Sequence, residues 1–354
     1  MIRIPYSLIL AAGAMAATLA LVPLIMRWAR GIGALDRPGP RRVHAEPVPT
    51  LGGLAFAASV LGGAWLAMAL PGPARQLDLL PLVGITLAAL PILALGIIDD
   101  LRGAPPYAKL GIQICAALVL YHFGLGVPIL TNPFGSNVEL GWLNAPLTVI
   151  WVVVVVNAVN LIDGLDGLAS GVVLLACATL WWVARSHADF YVMFFTALMI
   201  GTTAGFLRYN FPPARVFMGD TGSQFLGLML AAVSLLENRK GTATVTLLFP
   251  LVALALPIAD SVLAFFRRAF AGRHVFHADS GHIHHRLLRL GLTHAQTTLL
   301  LWGLSAVLGV VAILLAGQPR ERALLLAGSL AVVLFVVFEV IEAVGRRRNE
   351  AHED

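Results

Sequence analysis

Two adjacent carboxylates, Asp99 and Asp100, close an apolar run in PILALGIIDDLRG (residues 91–103). Side by side at the end of a buried segment they repel each other and resist ionising, a cost that a nearby cation relieves. The plain alternative is a helix end surfacing into water. A second acidic pair, Asp163 and Asp166, lies in NAVNLIDGLDGLASG (157–171), where Asn157, Asn160 and Asp163 recur every three residues and share one helical face. Gly164 and Gly167 break that helix, so both aspartates fall on a tight turn. Ordinary turn chemistry accounts for the aspartates but not for two amides just below them in an apolar helix. Asp220 stands between Gly219 and Gly222 in RVFMGDTGSQFLG (215–227), at a helix entrance that Thr221 or Ser223 would cap. Backbone N–H groups at such an end suit phosphate, and the carboxylate suits a hard divalent ion.

A basic counterpart follows in FRRAFAGRHVFHADSGHIHHRLLRLGLTHAQ (266–296). His282, His284, His285 and Arg286, with Arg267, Arg268 and Arg273 upstream, would grip a diphosphate, since the planar donors of arginine match phosphate oxygens. A histidine cluster also admits a metal site. A membrane di-iron oxidase gathers repeated H-x-x-H-H boxes, whereas this chain has one box with the spacing H-x-H-H. Its carboxylates dominate, which fits magnesium and phosphate better than iron. The basic, proline-rich DRPGPRRVHAEPVPTLGG (36–53) carries His44 and reads equally as a positive anchor. Lys109, nine residues after Asp100, reads either as a snorkelling anchor or as a contact for a lipid phosphate.

The elements that must position these groups are membrane helices. Of 354 residues, 58% are hydrophobic and 12% charged, and the mean hydropathy is +0.85. Soluble domains carry about 25% charged residues. Eleven apolar runs recur, at about 5–26, 51–70, 79–98, 109–127, 145–161, 168–184, 190–207, 223–238, 243–265, 297–316 and 323–343, each of a length to span a bilayer core. Lipid offers no hydrogen-bond partners, so they should be helices. The first run is too long for a signal peptide and is read as retained. Cys115 and Cys177 both lie inside apolar runs, which makes a structural disulfide unexpected. The expected fold is thus an all-α polytopic membrane protein, one domain over residues 1–354.

Alternating the loops between sides puts seventeen of the 24 lysines and arginines on one face and seven on the other. The basic face is read as cytoplasmic, with the N-terminus outside and the C-terminus inside. Eight of the ten histidines and all five aspartates named above fall on that face. Ionisable groups converging at a membrane surface point to one shared site. A transporter would instead place them near the midplane within inverted repeats, and no convincing repeat is present. The net charge of +5 mostly reflects the topology bias and gives no reason to invoke nucleic acid.

Five segments, taken in order, resemble the polyprenyl-phosphate N-acetylhexosamine-1-phosphate transferases, the glycosyltransferase 4-type family that includes WecA, TagO and MraY. They are DRPGPRRVHAEPVPTLGG, GIIDDLRGAPPYAKLGIQ, NAVNLIDGLDGLASG, RVFMGDTGSQFLG and HADSGHIHHRLLRLGL, covering about residues 36–296. Ile283 interrupts the histidine run, which is similar to the WecA/TagO branch. One departure is Pro105-Pro106-Tyr107-Ala108 where many members have Leu-Ser-Ala-Lys. The resemblance implies transfer of a sugar-1-phosphate, GlcNAc-1-phosphate first, from a UDP-N-acetylhexosamine to undecaprenyl phosphate. The products would be undecaprenyl-diphospho-sugar and UMP, made at the cytoplasmic face of the bacterial inner membrane. The alternative donors are UDP-GalNAc and a UDP-MurNAc-pentapeptide. It implies Mg2+, with Mn2+ as a substitute, Asp220 as the direct ligand with Asp99 beside it, and Asp99, Asp100 and Asp220 as the catalytic set. Asn157, Asn160, Asp163 and Asp166 would contact nucleotide or sugar. Arg273, His282, His284, His285 and Arg286 would hold diphosphate or sugar, and His44 and Lys109 the carrier phosphate. Asp260 matches a family position, or pairs with Arg267 or Arg268. A homodimer is compatible with the family.

Overall fold

In the computed structural model, the residues described are 4–36, 46–130, 138–238, 251–252, 254–255, 257–260, 283–319, 321–330 and 332–333. The long helices are α1 (Ile4–Gly31), α4 (Leu79–Arg102), α5 (Pro106–His122), α6 (Asn144–Ile162), α7 (Leu168–Ser186), α8 (Phe190–Asn210), α9 (Gly219–Asn238) and α11 (His294–Ala316). Shorter pieces are α2 (Gly53–Ala57), α3 (Gly63–Ala69) and α10 (Ile283–Arg289). Among the described residues six helices are long and apolar enough to cross a membrane, namely Tyr6–Gly31, Leu79–Arg102, Gly141–Ile162, Leu168–Ser186, Phe190–Asn210 and His294–Ala316. The chain is a multi-pass membrane protein.

Other expected runs take different forms. Run 51–70 is α2 and α3 joined through a wider π-helical turn at Ala58–Gly62. Run 109–127 is the 17-residue α5, and run 223–238 begins earlier, as the 20-residue α9. Most of 243–265 and of 323–343 lies outside the described residues. The fold is predominantly helical, as expected, with one minor addition. Two short antiparallel ribbons are present, β1 (Leu35–Asp36) with β2 (Val48–Pro49), and β3 (Ile129–Leu130) with β4 (Val138–Glu139). Both lie in connections rather than spans, where extended backbone pairs with itself to satisfy its own polar groups.

Helix α9 is the axis of the bundle, packed against α2, α4, α6, α7 and α8, with residues 221–236 buried throughout. Small residues let its neighbours approach. A Cβ on Gly96 of α4 would lie 2.5 Å from Thr221 Cα, and one on Gly53 would lie 2.1 Å from the Gly222 nitrogen. On the outside, α1 rides on α8 over Gly201 and Gly205, where added Cβ atoms would strike Ala11 O and Met15 O. The first helix is therefore an integral part of the bundle. Cys115 is exposed and Cys177 buried, and both are free.

Candidate active site

Asp99 and Asp100 occupy the last turn of α4, yet they do different things. Asp100 Oδ1 accepts the Asp220 backbone N–H at 2.8 Å. Its Oδ2 accepts the Thr221 N–H at 3.2 Å and the Thr221 hydroxyl at 2.6 Å. The first turn of any helix leaves N–H groups without intrahelical partners, and here a second helix supplies the cap. This corrects the expectation that Thr221 or Ser223 would cap α9. The Thr221 hydroxyl donates to Asp100, while Ser223 Oγ donates to Gly219 O at 3.1 Å and accepts from Asn160 Nδ2 at 2.9 Å. An ionised carboxylate is the stronger acceptor at the positive end of a helix, so it displaces the hydroxyls. Gly219, at φ +68°, makes this close approach feasible, because a Cβ there would collide with the Asp100 carboxylate.

Asp99 turns the other way. Its Oδ1 accepts the Ala104 N–H at 2.5 Å, and its Oδ2 takes the Lys109 ammonium at 2.6 Å. The same ammonium lies 2.5 Å from Asp220 Oδ2. The Pro105-Pro106 departure explains how Lys109 reaches this place. Pro105 is extended and Pro106 opens α5, a position where proline costs no hydrogen bond. The first turn of α5 therefore folds back over the end of α4. Lys109 is not a snorkelling anchor but a cation shared by carboxylates of two helices.

The second acidic pair fills the opposite wall. Helix α6 ends at Ile162 and α7 begins at Leu168, with Gly167 left-handed at φ +72°, as the glycine spacing implied. Asp166 Oδ2 accepts the Ala214 N–H at 2.9 Å. Asn210 stitches this turn to the next connection, accepting from Gly167 N and Ser170 Oγ, each at 3.1 Å, and donating to Val216 O at 2.9 Å. Asp163 has its carboxyl pushed well above the usual carboxylate range, first by removal from water and then by the negative charges of Asp220, Asp100 and Asp166.

These groups line one cavity of about 820 Å3 at one end of the bundle. There α4, α6 and α8 finish and α5, α7, α9 and α11 begin. Asp99, Asp100, Asn160, Asp163, Asp166 and Asp220 all border it. Asn157 lies a turn deeper on α6 and Lys109 sits at the Asp99–Asp220 edge. Asp260 is buried and accepts the Ile283 N–H at 3.0 Å, so it caps α10. Arg286 is buried on α10 but is not a lining residue. His284 and His285 belong to α10, whereas His44, Arg273 and His282 lie outside the described residues, as do Arg267 and Arg268.

Several lining residues are not among the expected site residues, including Asp36, Asn210, Thr293 and His294. Asp36 is brought in by the β1–β2 ribbon, whose register sets it opposite Val48. Beyond the ribbon the chain turns through Leu51, and the Gly52 and Gly53 N–H groups donate to Phe217 O and Met218 O just before Asp220. Thr293 caps α11 in a reciprocal box with Gln296. The T-x-x-Q spacing signals the Thr293 cap in the sequence, whereas Asn210 carries no local signal of its role.

Among the described residues, no three His, Cys, Asp or Glu side chains are arranged to hold a metal ion. Asp99 and Asp220 nonetheless share one cation, and both offer hard oxygen donors. A divalent ion such as Mg2+ often takes only one or two carboxylates and completes its shell with water and phosphate. The donor set fits such an ion.

The profile of glycosyl transferase family 4 matches residues 82–238, the stretch from α4 through α9 that builds most of this site. The chain is 35% identical over 330 residues to a Bacillus subtilis protein named as a probable undecaprenyl-phosphate N-acetylglucosaminyl 1-phosphate transferase, covering 93% of this chain and 90% of that one. It is 34% identical over 351 residues to the decaprenyl-phosphate N-acetylglucosaminephosphotransferase of Mycobacterium leprae, covering 91% and 86%. A phospho-N-acetylmuramoyl-pentapeptide-transferase from Listeria welshimeri is 28% identical over 305 residues, covering 82% and 91%. With the acidic cavity built by the matched helices, these likenesses place the chain in glycosyl transferase family 4, among the polyprenyl-phosphate sugar-1-phosphate transferases.

Proposed function

We propose that this protein transfers N-acetylglucosamine-1-phosphate from UDP-N-acetylglucosamine to undecaprenyl phosphate, releasing UMP. An oxygen of the carrier phosphate attacks the β-phosphorus of the nucleotide sugar. The bond from that phosphorus to the bridging oxygen breaks, and the bridging oxygen leaves with UMP. The observation that carries the reading is the Lys109 ammonium held between Asp99 and Asp220 at the edge of a cavity bordered by six aspartates. Two phosphate-bearing substrates cannot meet against such a wall unless cations stand between them. Lys109 supplies one charge. Asp220 and Asp99 would hold Mg2+ or Mn2+, which when bound neutralises charge on the phosphates. Names among the relatives favour N-acetylglucosamine over the muramoyl-pentapeptide donor, since two of the former match at 35% and 34% over 330 and 351 residues, whereas two of the latter match at 28% and 33% over 305 and 262.

The residues favour direct attack over an aspartyl-phosphate intermediate. Both Asp100 oxygens are engaged at the α9 N-terminus. Asp99 is held by Ala104 and Lys109, so neither is poised as a nucleophile. A carrier phosphate with a second pKa of about 6 is largely deprotonated at neutral pH and needs no strong base. Asn160, Asp163 and Asp166 line the cavity and would contact nucleotide or sugar, and Arg273, His282, His284, His285 and Arg286 would hold the diphosphate or sugar. The site faces the cytoplasm, with the N-terminus outside, in the bacterial inner membrane. This reading rests on the excess of basic loops on that side. Purified protein should release UMP from UDP-N-acetylglucosamine only with polyprenyl phosphate and a divalent ion both present. No UMP from well-folded protein under those conditions would overturn the proposal, and a panel of UDP-sugars on the same preparation would identify the donor.

A further inference from the structure

Below the acidic cavity, three amides run into the apolar core in a single line. Asn157 Nδ2 donates to Val153 O at 2.8 Å and to Gln113 Oε1 at 2.7 Å. Gln113 Nε2 donates to Gln224 Oε1 at 3.4 Å, the longest link, and Gln224 Nε2 donates to Asp220 Oδ2 at 3.2 Å. Gln113 and Gln224 are each 1% exposed, and an amide buried so deeply without partners is strongly unfavourable. Each glutamine stands four residues after a site residue, Gln113 after Lys109 and Gln224 after Asp220. Each therefore lies one turn deeper on the face that points at the site.

The line has a direction, and both ends enforce it. The Val153 carbonyl can only accept, so Asn157 must present its nitrogen there and its second N–H to Gln113. An ionised Asp220 can only accept, so Gln224 must present its nitrogen upward. Between these ends a single orientation of the two glutamines pairs donor with acceptor at every link. A reversed amide at any position would set nitrogen against nitrogen or oxygen against oxygen. We infer that Gln113 and Gln224 are positioning residues that aim and fix the Asp220 carboxylate for its divalent ion, a role that rests on the assignment of Asp220 under the proposed function. Packing alone gives a different expectation. An amide pair serving only as glue between α5 and α9 would affect stability and leave ion affinity alone.

The test is Mn2+ titration of the full-length protein in detergent, with free Mn2+ followed by electron paramagnetic resonance. Gln224→Met keeps length and packing but removes the donor, and it should weaken Mn2+ binding by about 10–100-fold, the range for losing an outer partner of a ligand. Gln113→Met should weaken it in the same sense, and the double variant should be no worse than Gln224→Met, because Gln113 acts through Gln224. Gln224→Leu is the replacement should the methionine variant not fold. Wild-type Mn2+ affinity in the variants, or losses that multiply in the double variant, would overturn the inference. Absence of saturable Mn2+ binding to the wild type would overturn it as well, and UMP release by that preparation would show whether the transferase reading survives.

Discussion

Asp100 caps the helix that carries Asp220. Its Oδ1 receives the Asp220 N–H at 2.8 Å, and its Oδ2 receives the N–H and hydroxyl of Thr221. The two carboxylates thus have a hierarchy, in which Asp100 fixes where the α9 N-terminus lies and Asp220 projects from it toward Lys109. Asp100→Ala should destabilise the protein by about 1–2 kcal/mol, the usual range for losing a strong cap, and should also lower UMP release because Asp220 is displaced. Asp100→Asn keeps one acceptor and should fall between. Thermal unfolding in detergent alongside the activity assay checks both, and an unchanged midpoint for Asp100→Ala would remove the capping role.

Lys109 occupies the two oxygens, Asp99 Oδ2 and Asp220 Oδ2, that the proposed divalent ion would need, so the two would compete. Removing the ammonium should leave an uncompensated pair of carboxylates that draws a divalent ion more tightly. Lys109→Met is therefore expected to raise Mn2+ affinity about tenfold or more, since a unit charge at about 4 Å is worth several kcal/mol even at intermediate dielectric. Turnover should fall in the same variant, because a charge facing the phosphates is gone. Weaker Mn2+ binding in Lys109→Met would show that the ammonium organises the site rather than competing for it.

The parts of this site legible in the sequence are those whose signals are local. Gly164 and Gly167 announce the turn that carries Asp163 and Asp166, and the apolar runs announce that the acidic segments alternate onto one end. Pairings between distant segments leave no such trace. Asp100 meets Thr221 across 121 residues, and nothing in GIIDDLRG distinguishes the carboxylate that caps from the one that binds Lys109. Asp36 and Asn210 went unread for a related reason. Each is a single polar residue at the end of an element, significant only once the β1–β2 ribbon and the α8 terminus bring it to the cavity. Gln113 and Gln224 were legible in principle, four residues after Lys109 and Asp220, but only once those two were known to meet.

The approach of α4 to α9 depends on Gly96, where a Cβ would sit 2.5 Å from Thr221 Cα and 2.8 Å from its nitrogen. Both are backbone atoms of the capped turn and cannot move without taking Asp220 with them. Gly96→Ala should cost about 1–3 kcal/mol through overpacking and should impair activity beyond what the loss of folded protein explains. Gly111 on α5 is the control, since a Cβ there meets nothing within 4 Å. Gly111→Ala should be neutral, or stabilising by up to about 1 kcal/mol from the helix preference for alanine. Equal effects of the two substitutions, measured by thermal unfolding, would refute the close-packing account.

Asp163 offers the pH-dependent prediction. Burial and the charges of Asp220, Asp100 and Asp166 raise its pKa well above the ordinary value, so over an interval of pH the folded protein holds a proton that the unfolded chain has released. Stability contributed by this group is then fully present below the unfolded-state value of about 3.9 and declines as pH rises through the folded-state value. Asp163→Asn removes the titration while keeping the shape. Relative to wild type, its midpoint of thermal unfolding should be similar in acid, rise by a few °C as pH increases, and then level off. A divalent ion should shrink the difference by relieving the repulsion in the wild type, and the proton it displaces should make wild-type Mn2+ binding tighter at higher pH. A difference independent of pH, or one that grows toward acid, would mean that the Asp163 carboxylate is stabilised in the folded protein rather than strained.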